Sequence, residues 1–536
     1  MGDREDRNSR PQPAPTLTYP DITLAQMLDD TAREHPDYIA TTLYDSDLTY
    51  GEIAKKVNET AHALAGLGVG KGDRVALILP NSPTYMIAFF GIIRLGAVAV
   101  NVNVMTRGAE LVRLLNDADA GIVVTLDLFV QNVIEIRGQT PVRTVILHSV
   151  FGLEKKLESG ATGGILIFND LISSQPSTPY APQASPDDTA VLQYTSGSSG
   201  APKTTVLTHR NFVSNIIQLD AVMPKDTPVN AGVICIVPFF HIFGLTIGLL
   251  ISVFKAYRMI LLPQFDWSSI LSLFELIQKY RPFSFPAVSP LWAALVSHPE
   301  ADQYPLDAIG VASAGGAPLA EWIQENYEKL TGRRILEAYG LSETASTTHM
   351  NPPDAGAPGS IGKPLPDTAA MIVDIETGET EVPLGEVGEL IVKGPQVMRE
   401  YWKNPELTRR ALRNGWLYTG DLARMDAEGY YYLVDRKDDL IIASGYNVYP
   451  SDVESALRRH AEVADAGVVG QPDVLRGEAI KAYVVLKDDA KVSKAEILAH
   501  CRETLSEFKI PRIIEFCDEI PKNPAGKPLK RLLRRP

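Results

Sequence analysis

The apolar and polar positions of this chain alternate between short apolar runs and longer stretches of helical length. The run 73–79 is mostly apolar and ends at a proline, which is the pattern of a buried strand followed by a turn. Residues 85–95 then predict a helix, and the next strand-like runs lie at 97–100, 121–125 and 142–147. Strands that alternate with helices in this way predict a parallel, doubly wound α/β sheet.

The rhythm resumes after a connection rich in Ser and Pro. Strands are predicted at 233–237, 258–262, 306–313 and 335–339, and helices at 244–254 and 268–280. Residues 356–435 carry short strands and turns instead, which predicts a small β-barrel or a curved sheet. After the charged cluster 435–439, two helices and two strands form a unit of about a hundred residues, a common size for one small domain.

These changes of pattern divide the chain into a tail and two domains. Residues 1–20 are polar and contain proline at several positions, so we expect a disordered tail. A chain of 536 residues is too long for one core, and the charged cluster marks the boundary between two. We therefore expect a large domain of doubly wound sheets with a small β-barrel at 21–437, and a small α+β domain at 438–536.

Composition and charge exclude several classes of protein. The chain is 45% hydrophobic and 22% charged, as soluble globular proteins are. Its net charge of −14 argues against general nucleic-acid binding. The cysteines Cys235, Cys501 and Cys517 have no metal-ligand spacing, so we expect a reducing, cytoplasmic location and no zinc site. Residues 1–15 contain no apolar segment of the kind that a secretory signal needs.

One stretch raises the question of a membrane span. Residues 227–254 contain no Asp, Glu, Lys or Arg and are long enough to cross a bilayer. Pro238, His241 and Gly244 interrupt the stretch at its centre. We therefore expect a buried strand, a turn and a buried helix here rather than a transmembrane segment, and leave peripheral membrane contact open.

A loop rich in hydroxyls and glycine is the strongest chemical signal. It follows an apolar strand at 190–194 and comprises Thr195, Ser196, Gly197, Ser198, Ser199 and Gly200, with Lys203 after it. Glycines let backbone N–H groups turn toward one point, hydroxyls add donors, and a lysine supplies positive charge, so the loop predicts a polyphosphate site. It is not a Walker A loop, because Pro202 and not glycine precedes the lysine.

Four further stretches join this loop to form an ordered set. They are Tyr339-Gly340-Leu341-Ser342-Glu343-Thr344, Tyr418-Thr419-Gly420-Asp421, Asp435-Arg436-Lys437-Asp438 with Ser444-Gly445-Tyr446, and Pro521 to Lys527. Their order and separation resemble the adenylate-forming enzymes, a superfamily that includes acyl-CoA and aryl-CoA synthetases, peptide-synthetase adenylation domains and firefly luciferase. The resemblance covers the chain from about residue 20.

The resemblance implies a reaction in two steps with ATP, Mg²⁺ and coenzyme A. A carboxylate attacks the α-phosphorus of ATP to give acyl-adenylate and pyrophosphate, and a thiol then displaces AMP. The 195–203 loop would hold the β- and γ-phosphates, and Glu343 would be the Mg²⁺ ligand. The catalytic residues would be Lys527, which bridges carboxylate and α-phosphate, Thr344, which donates to the α-phosphate, and His241.

The same resemblance implies the rest of the nucleotide site and a moving domain. Gly315, Gly316, Ala317 and Tyr339 would form the adenine slot, Asp421 would accept from both ribose hydroxyls, and Arg436 would reach the nucleotide. Asp438 matches the hinge on which a mobile C-terminal domain turns between the steps, and Gly445 would then line the coenzyme A path.

The acid pocket resembles that of medium- and long-chain fatty acyl-CoA synthetases, with Phe240, Phe243, Gly244 and Gly340 as its lining. Residues 227–254 lack the acid that an amino-acid substrate would need, and Gly340 stands where acetate enzymes carry Trp, which implies room for a longer chain. An aryl-CoA ligase of the benzoate or coumarate type and a ligase that loads a separate carrier protein stay open. So do a luciferase-like oxygenase and a homodimer.

Overall fold

The structure is a computed structural model, and it describes residues 17–150, 164–195, 203–263, 270–353, 355–443, 446–473, 477–522 and 528–534. The strands of the large domain come first. They are β1 Ile39–Leu43, β2 Ser46–Thr49, β3 Arg74–Ile78, β4 Val98–Asn101, β5 Ile122–Leu126, β6 Thr144–His148, β7 Ile165–Ile167, β8 Thr189–Thr195, β9 Lys203–Thr208, β10 Gly232–Cys235, β11 Arg258–Leu261, β12 Ser284–Ala287, β13 Val311–Ala314, β14 Leu336–Leu341, β15 Ser346–Met350 and β16 Lys363–Pro364.

The later strands build two smaller sheets. They are β17 Ala369–Val373, β18 Gly388–Lys393, β19 Glu400–Tyr401, β20 Leu412–Arg413, β21 Trp416–Met425, β22 Tyr431–Arg436, β23 Ile441–Ala443, β24 Tyr446–Val448, β25 Val463–Asp473, β26 Gly477–Leu486 and β27 Ile513–Phe516. Of these, β19 departs from its neighbours and joins a sheet of the large domain.

The α-helices lie between the strands. They are α1 Leu24–Glu34, α2 Tyr50–Gly66, α3 Pro83–Arg94, α4 Gly108–Ala118, α5 Val130–Ile136, α6 Phe168–Ser173, α7 His209–Val222, α8 Ile251–Phe254, α9 Ile270–Tyr280, α10 Ser289–Ser297, α11 Glu321–Thr331, α12 Pro405–Ala411, α13 Pro450–Arg458, α14 Lys494–Thr504 and α15 Lys530–Leu533. A π-helix, Gly244–Leu250, precedes α8, and short 3₁₀ turns lie at Arg137–Gln139, Ala301–Gln303, Leu306–Ala308, Ser342–Thr344, Lys437–Asp439 and Glu507–Lys509.

Two large sheets confirm the doubly wound prediction. The first has the order β19-β9-β8-β4-β3-β5-β6-β7, and its strands from β8 to β7 are parallel. The second has the order β16-β15-β14-β13-β12-β10-β11-β1-β2, and it is parallel from β14 to β1. Helix α3 is buried almost throughout and packs in one core with residues of both sheets, because its sequence is apolar on every face.

The stretch 227–254, which has no charged residues, folds as a buried strand, a turn and buried helices, as the residues that interrupt it predict. It forms strand β10, a turn, the π-helix and α8, all within the large domain. No described helix combines the length and the apolar character that crossing a bilayer requires.

The two smaller sheets follow in sequence. One is antiparallel with the linear order β17-β18-β21-β20, with β22 also on β21, and the described pairings do not close a barrel. The other has the order β24-β23-β26-β25 with β27 on β26, and α13 and α14 pack on it. The predicted boundary at 437–438 falls in the 3₁₀ turn between these sheets, and it stays a prediction.

The N-terminal prediction needs a correction at its end. Residues 17–20 were expected in a disordered tail, but the Leu17 N–H and the Tyr19 hydroxyl each donate to Asp367 Oδ2 at 2.8 Å. Two hydrogen bonds to one carboxylate fix this segment against the large domain. Residues 1–16 lie outside the described part of the chain.

A buried polar network joins the two large sheets where their strands end. The Asn81 amide, which follows β3, donates to Cys235 O and Val237 O at 2.9 and 3.0 Å, and its oxygen accepts from Phe239 N at 2.7 Å. These bonds satisfy backbone groups of the turn after β10 that would otherwise be buried without partners. One side chain of the first sheet therefore shapes a loop of the second.

The network continues through three more buried side chains. The Tyr85 hydroxyl lies 2.7 Å from Asn101 Oδ1 and 2.9 Å from Phe239 O. Asn101 donates to Gln193 Oε1 at 3.1 Å, and Gln193 donates to Phe240 O at 2.9 Å. Because Gln193 stands two residues before Thr195, the strand that leads into the hydroxyl-rich loop also holds the 239–240 turn.

Replacing Tyr85 with Phe tests this network. The substitution leaves the polar partners of the hydroxyl unpaired, so we expect the free energy of unfolding to fall by about 1–3 kcal/mol. The matched control is Tyr327→Phe, because the buried Tyr327 hydroxyl has no hydrogen-bond partner among the described residues. Urea titration should place the control within about 0.5 kcal/mol of wild type. Equal losses in both variants would contradict the role of the network.

Candidate active site

The hydroxyl-rich loop connects two adjacent strands of the first sheet. Thr195 ends β8 and Lys203 begins β9, and the two residues are opposite each other in the antiparallel pair. The loop therefore begins and ends at one point on the edge where the parallel strands have their carboxyl ends, the usual place for a ligand in such sheets. Ser196, Gly197, Ser198, Ser199 and Gly200 lie outside the described residues.

Glu343 lies close to Lys203, although the two are far apart in sequence. The 3₁₀ turn after β14 carries Glu343, whose Oε1 accepts from the Tyr401 hydroxyl at 2.7 Å. The Lys203 ammonium lies 5.8 Å from the centre of the same Tyr401 ring. Burial and the carboxylate both raise the pKa of Tyr401, so its hydroxyl keeps the proton that it donates. Sequence reasoning missed Tyr401. The only sign of it in the sequence was that it forms an aromatic pair with Trp402.

Thr344 is not placed as the resemblance implied. Its side chain is fully buried, and its hydroxyl accepts from Leu341 N at 3.1 Å and lies 3.1 and 3.0 Å from Leu341 O and Ser346 O. The hydroxyl is thus occupied in closing the turn and does not face a ligand. Ser342 is partly exposed in the same turn, and its hydroxyl makes no hydrogen bond to any described residue. Ser342 is therefore the better candidate donor to an α-phosphate.

Tyr339 and Asp421 form a buried pair that the sequence did not reveal. The Tyr339 hydroxyl donates to Asp421 Oδ2 at 2.6 Å, and Arg436 Nε donates to Asp421 Oδ1 at 2.8 Å. Burial raises the pKa of Tyr339, and Asp421 raises it further. Each carboxylate oxygen keeps a second lone pair, so Asp421 is oriented and can still accept from two more hydroxyls.

The glycine turn after β13 lies beside the same strands. Gly315 is buried, and a Cβ at this position would lie 3.5 Å from both Ala338 O and the Phe243 ring. Gly316 has a φ of +81°, a conformation that favours glycine. The Ser289 hydroxyl donates to Ala317 O at 3.0 Å and fixes the turn. The predicted adenine slot and the predicted acyl pocket therefore meet at Gly315 and Phe243.

The segment around His241 is held by the polar network and by the π-helix. His241 is exposed, and its Nδ1 accepts from Phe243 N at 3.2 Å, as an unprotonated ring nitrogen does. Phe240 and Phe243 on either side are partly buried. The Thr246 hydroxyl donates to Ala345 O at 2.6 Å and joins this segment to the turn of Glu343.

Gly244 and Gly340 do not leave open space. A Cβ at Gly244 would overlap Pro238 O, and a Cβ at Gly340 would overlap the carbonyl of Ser346 on β15. Both glycines permit close backbone approach, and a large side chain at residue 340 would meet the backbone rather than fill a slot. The expectation that glycine at 340 leaves side-chain room for an acyl chain is therefore corrected, although the backbone itself can still border the pocket.

The hinge residue and the remaining predicted positions lie toward the C-terminal domain. Asp438 is exposed in the turn Lys437–Asp439, where Lys437 Nζ contacts Glu389 Oε2 at 2.7 Å and Arg534 donates to Asp438 O at 3.0 Å. The turn is thus held from both sides, on one side by the buried Glu389 and on the other by the partly exposed Arg534. Gly445 and Lys527 lie outside the described residues.

Among the described residues, no group of three or more His, Cys, Asp or Glu side chains forms a ready-made metal site. A Mg²⁺ ion that arrives with a triphosphate needs no such group, because phosphate oxygens and water fill most of its coordination sphere. A carboxylate with one oxygen already oriented, as in Glu343, fits that demand.

The arrangement brings together an anion loop, a lysine, an oriented carboxylate and a buried acid beside a glycine turn. Such a site can hold the phosphates of a nucleoside triphosphate, because it offers positive charge, donors and a carboxylate for an accompanying cation. The fold and the site thus define an enzyme that activates its substrate with a nucleotide.

Comparisons with known proteins specify the family. The model of the AMP-binding enzyme family matches residues 28–402, and that of the AMP-binding enzyme C-terminal domain matches residues 452–527. The chain belongs to the AMP-binding enzymes, and the superfamily resemblance of its motifs is confirmed.

Similar proteins cover the whole chain. A long-chain-fatty-acid–CoA ligase of Bacillus subtilis is 39% identical over 96% of this chain and 95% of its own length. A protein of the same name from Escherichia coli is 36% identical over 98% and 97%. The crystal structure of an anthranilate CoA ligase with anthranoyl-AMP superposes with a TM-score of 0.84 at 28% identity, and covers 97% of both chains.

The partly buried Glu337 provides a pH test of the site. Desolvation raises its pKa from 4.5 to about 7, although Leu319 N donates to it. Between these values the unfolded chain binds fewer protons than the folded one, so this residue lowers stability as pH rises. Glu337→Gln should therefore gain stability relative to wild type from pH 5 to pH 8, by up to about 3 kcal/mol.

Urea titrations at several pH values measure this difference. Glu325→Gln is the control, because Glu325 is exposed on the adjacent helix α11. Parallel stability curves for wild type and Glu337→Gln over this range would contradict the assignment.

Proposed function

We propose that this chain is an AMP-forming, ATP-dependent fatty acyl-CoA synthetase. It activates a medium- or long-chain fatty acid as the acyl-adenylate and then transfers the acyl group to coenzyme A, giving acyl-CoA, AMP and pyrophosphate. The observation that carries the proposal is the convergence of Lys203 and Glu343 on Tyr401 beside the Asp421 pair, in a chain similar along its full length to long-chain-fatty-acid–CoA ligases.

The first step requires positive charge and donors, because a carboxylate must approach a triphosphate. We assign the β- and γ-phosphates to the 195–203 loop with Lys203, and the α-phosphate to Ser342. Asp421 accepts from the ribose hydroxyls, held by Tyr339 and Arg436. Mg²⁺ on Glu343 would neutralise phosphate charge when bound.

The acid enters from the side of the aromatic segment. Phe240 and Phe243 border its path, and His241 lies between them in the same segment. Apolar walls without a buried acid favour an alkyl chain over an amino acid, since a buried ammonium needs a carboxylate partner.

The second step requires the C-terminal domain to move. We assign Lys527 to the adenylation step, Asp438 to the hinge and Gly445 to the path of coenzyme A. The exposure of Asp438 in the turn Lys437–Asp439, between the two smaller sheets, supports a hinge there. The reduced state of the described cysteines supports a cytoplasmic location.

A second candidate is an aryl-CoA ligase. The superposition with the anthranilate CoA ligase favours it, because that structure holds an aromatic acyl-adenylate in the same fold. The two candidates share every nucleotide residue and differ only in the acid pocket.

The half-reactions test the role of Lys527. Lys527→Ala should slow acyl-adenylate formation from acid and ATP by at least about 100-fold, because a charge that stabilises the transition state is lost. Thioester formation from supplied acyl-adenylate should persist, because the lysine has left the site by then. Lys491→Ala, an exposed lysine of the same domain, should leave both steps intact. Equal loss in both half-reactions would refute the assignment.

A series of acids tests the substrate. Each methylene that the pocket buries contributes about 0.8 kcal/mol, or roughly fourfold in affinity. Pyrophosphate release should therefore show kcat/KM rising from butanoate to at least octanoate and then levelling off. Benzoate should be poorer, because a rigid ring cannot follow a narrow channel. If benzoate or a cinnamate exceeds octanoate tenfold, the aryl-CoA ligase replaces the fatty-acid enzyme.

A further inference from the structure

Tyr401 contacts two parts of the site that are far apart in sequence. Its hydroxyl donates to Glu343 Oε1 at 2.7 Å, and the Lys203 ammonium lies over its ring. The side chain is 5% exposed, so the hydrogen bond is largely shielded from water. A shielded hydrogen bond to a carboxylate is among the stronger orienting interactions in a protein.

The backbone of the same segment holds Glu343 a second time. The Met398 N–H donates to Glu343 O at 2.7 Å, three residues before the tyrosine. The main chain and the side chain of Glu343 are therefore both fixed by the segment 398–401. One carboxylate oxygen is engaged by the tyrosine, which leaves the other oxygen for a cation.

The segment 398–401 is also joined by strand pairing to β9, the strand that follows the phosphate loop. Strand β19 pairs with β9, with Tyr401 opposite Thr205 and Glu400 opposite Val206. Lys203 is the first residue of β9, so the pairing sets the distance between the lysine and the carboxylate. Register in a sheet is determined by backbone hydrogen bonds and resists small displacements.

We propose that Tyr401 is a positioning residue that orients the free oxygen of Glu343 toward the Mg²⁺ of MgATP and holds it in register with Lys203. The inference rests on the proposed function, because it takes Glu343 as the residue that receives the ion. Hydrogen-bond partners of metal ligands act in this way in many sites, and their loss weakens metal affinity by about 10–100-fold.

The test removes only the hydroxyl. Binding of a non-hydrolysable ATP analogue is measured by calorimetry with and without Mg²⁺, for wild type and Tyr401→Phe. The ratio of the two Kd values isolates the contribution of the ion, because a general structural fault changes both alike. We expect the Mg²⁺ concentration for half-maximal enhancement to rise about tenfold in Tyr401→Phe, with little change in metal-free binding.

The matched control loses the same chemical group elsewhere. Tyr432→Phe also removes a phenol that donates to a carboxylate. Tyr432 lies away from the site, and its hydroxyl donates to Asp426 Oδ2 at a distance of 2.9 Å. It should bind the Mg²⁺ complex as wild type does. An equal change in both phenylalanine variants would overturn the proposal.

A third variant separates this inference from the proposed function. Glu343→Gln should also weaken the Mg²⁺ enhancement. If it does while Tyr401→Phe does not, the positioning role is wrong and the metal assignment stands. If neither variant alters the Mg²⁺ dependence, the assignment of Glu343 to the ion fails, and the positioning role fails with it.

Discussion

The site depends on one constraint, the buried hydrogen-bond network that ties the strand ends of the two large sheets together. Asn81 and Gln193 belong to the first sheet or its turns and satisfy backbone groups of the turn after β10, and Asn101 donates to the side chain of Gln193. Each bond contributes only about 1 kcal/mol, but an unpaired buried group costs more than that, so the loops have one low-energy arrangement. The end of β8 and the His241 segment are therefore held in one arrangement by buried hydrogen bonds.

A second constraint is electrostatic. The chain carries a net charge of −14, yet its substrates bring a triphosphate and a carboxylate. The site offsets this negative charge locally. Lys203 lies on the Tyr401 ring beside Glu343, and Arg436 binds Asp421. Each acid has its direction set by a tyrosine hydroxyl, Glu343 by Tyr401 and Asp421 by Tyr339. Phenols keep their protons when buried, so they orient carboxylates without adding charge.

The two sheets that follow the large ones serve a different purpose. The antiparallel sheet supplies Asp421 and Arg436 on neighbouring strands, in register with each other. The chain then passes through the exposed turn of Asp438 into the last sheet. On the proposed function, a ribose held at Asp421 beside an exposed turn would let the small domain change its position without disturbing the bound nucleotide.

The sequence by itself determined the alternation of strands and helices, the sheet class and the motifs of an adenylate-forming enzyme. These features are local, because apolar periodicity and turn residues act over a few positions along the chain. Only the tertiary structure decided which side chains meet. In the folded chain the Thr344 hydroxyl bonds within its own turn, and the carbonyl of Ser346 fills the space beside Gly340. The Tyr401 hydroxyl binds Glu343. The direction of a side chain and the identity of its partner depend on the packing of strands distant in sequence, and no local pattern contains that information.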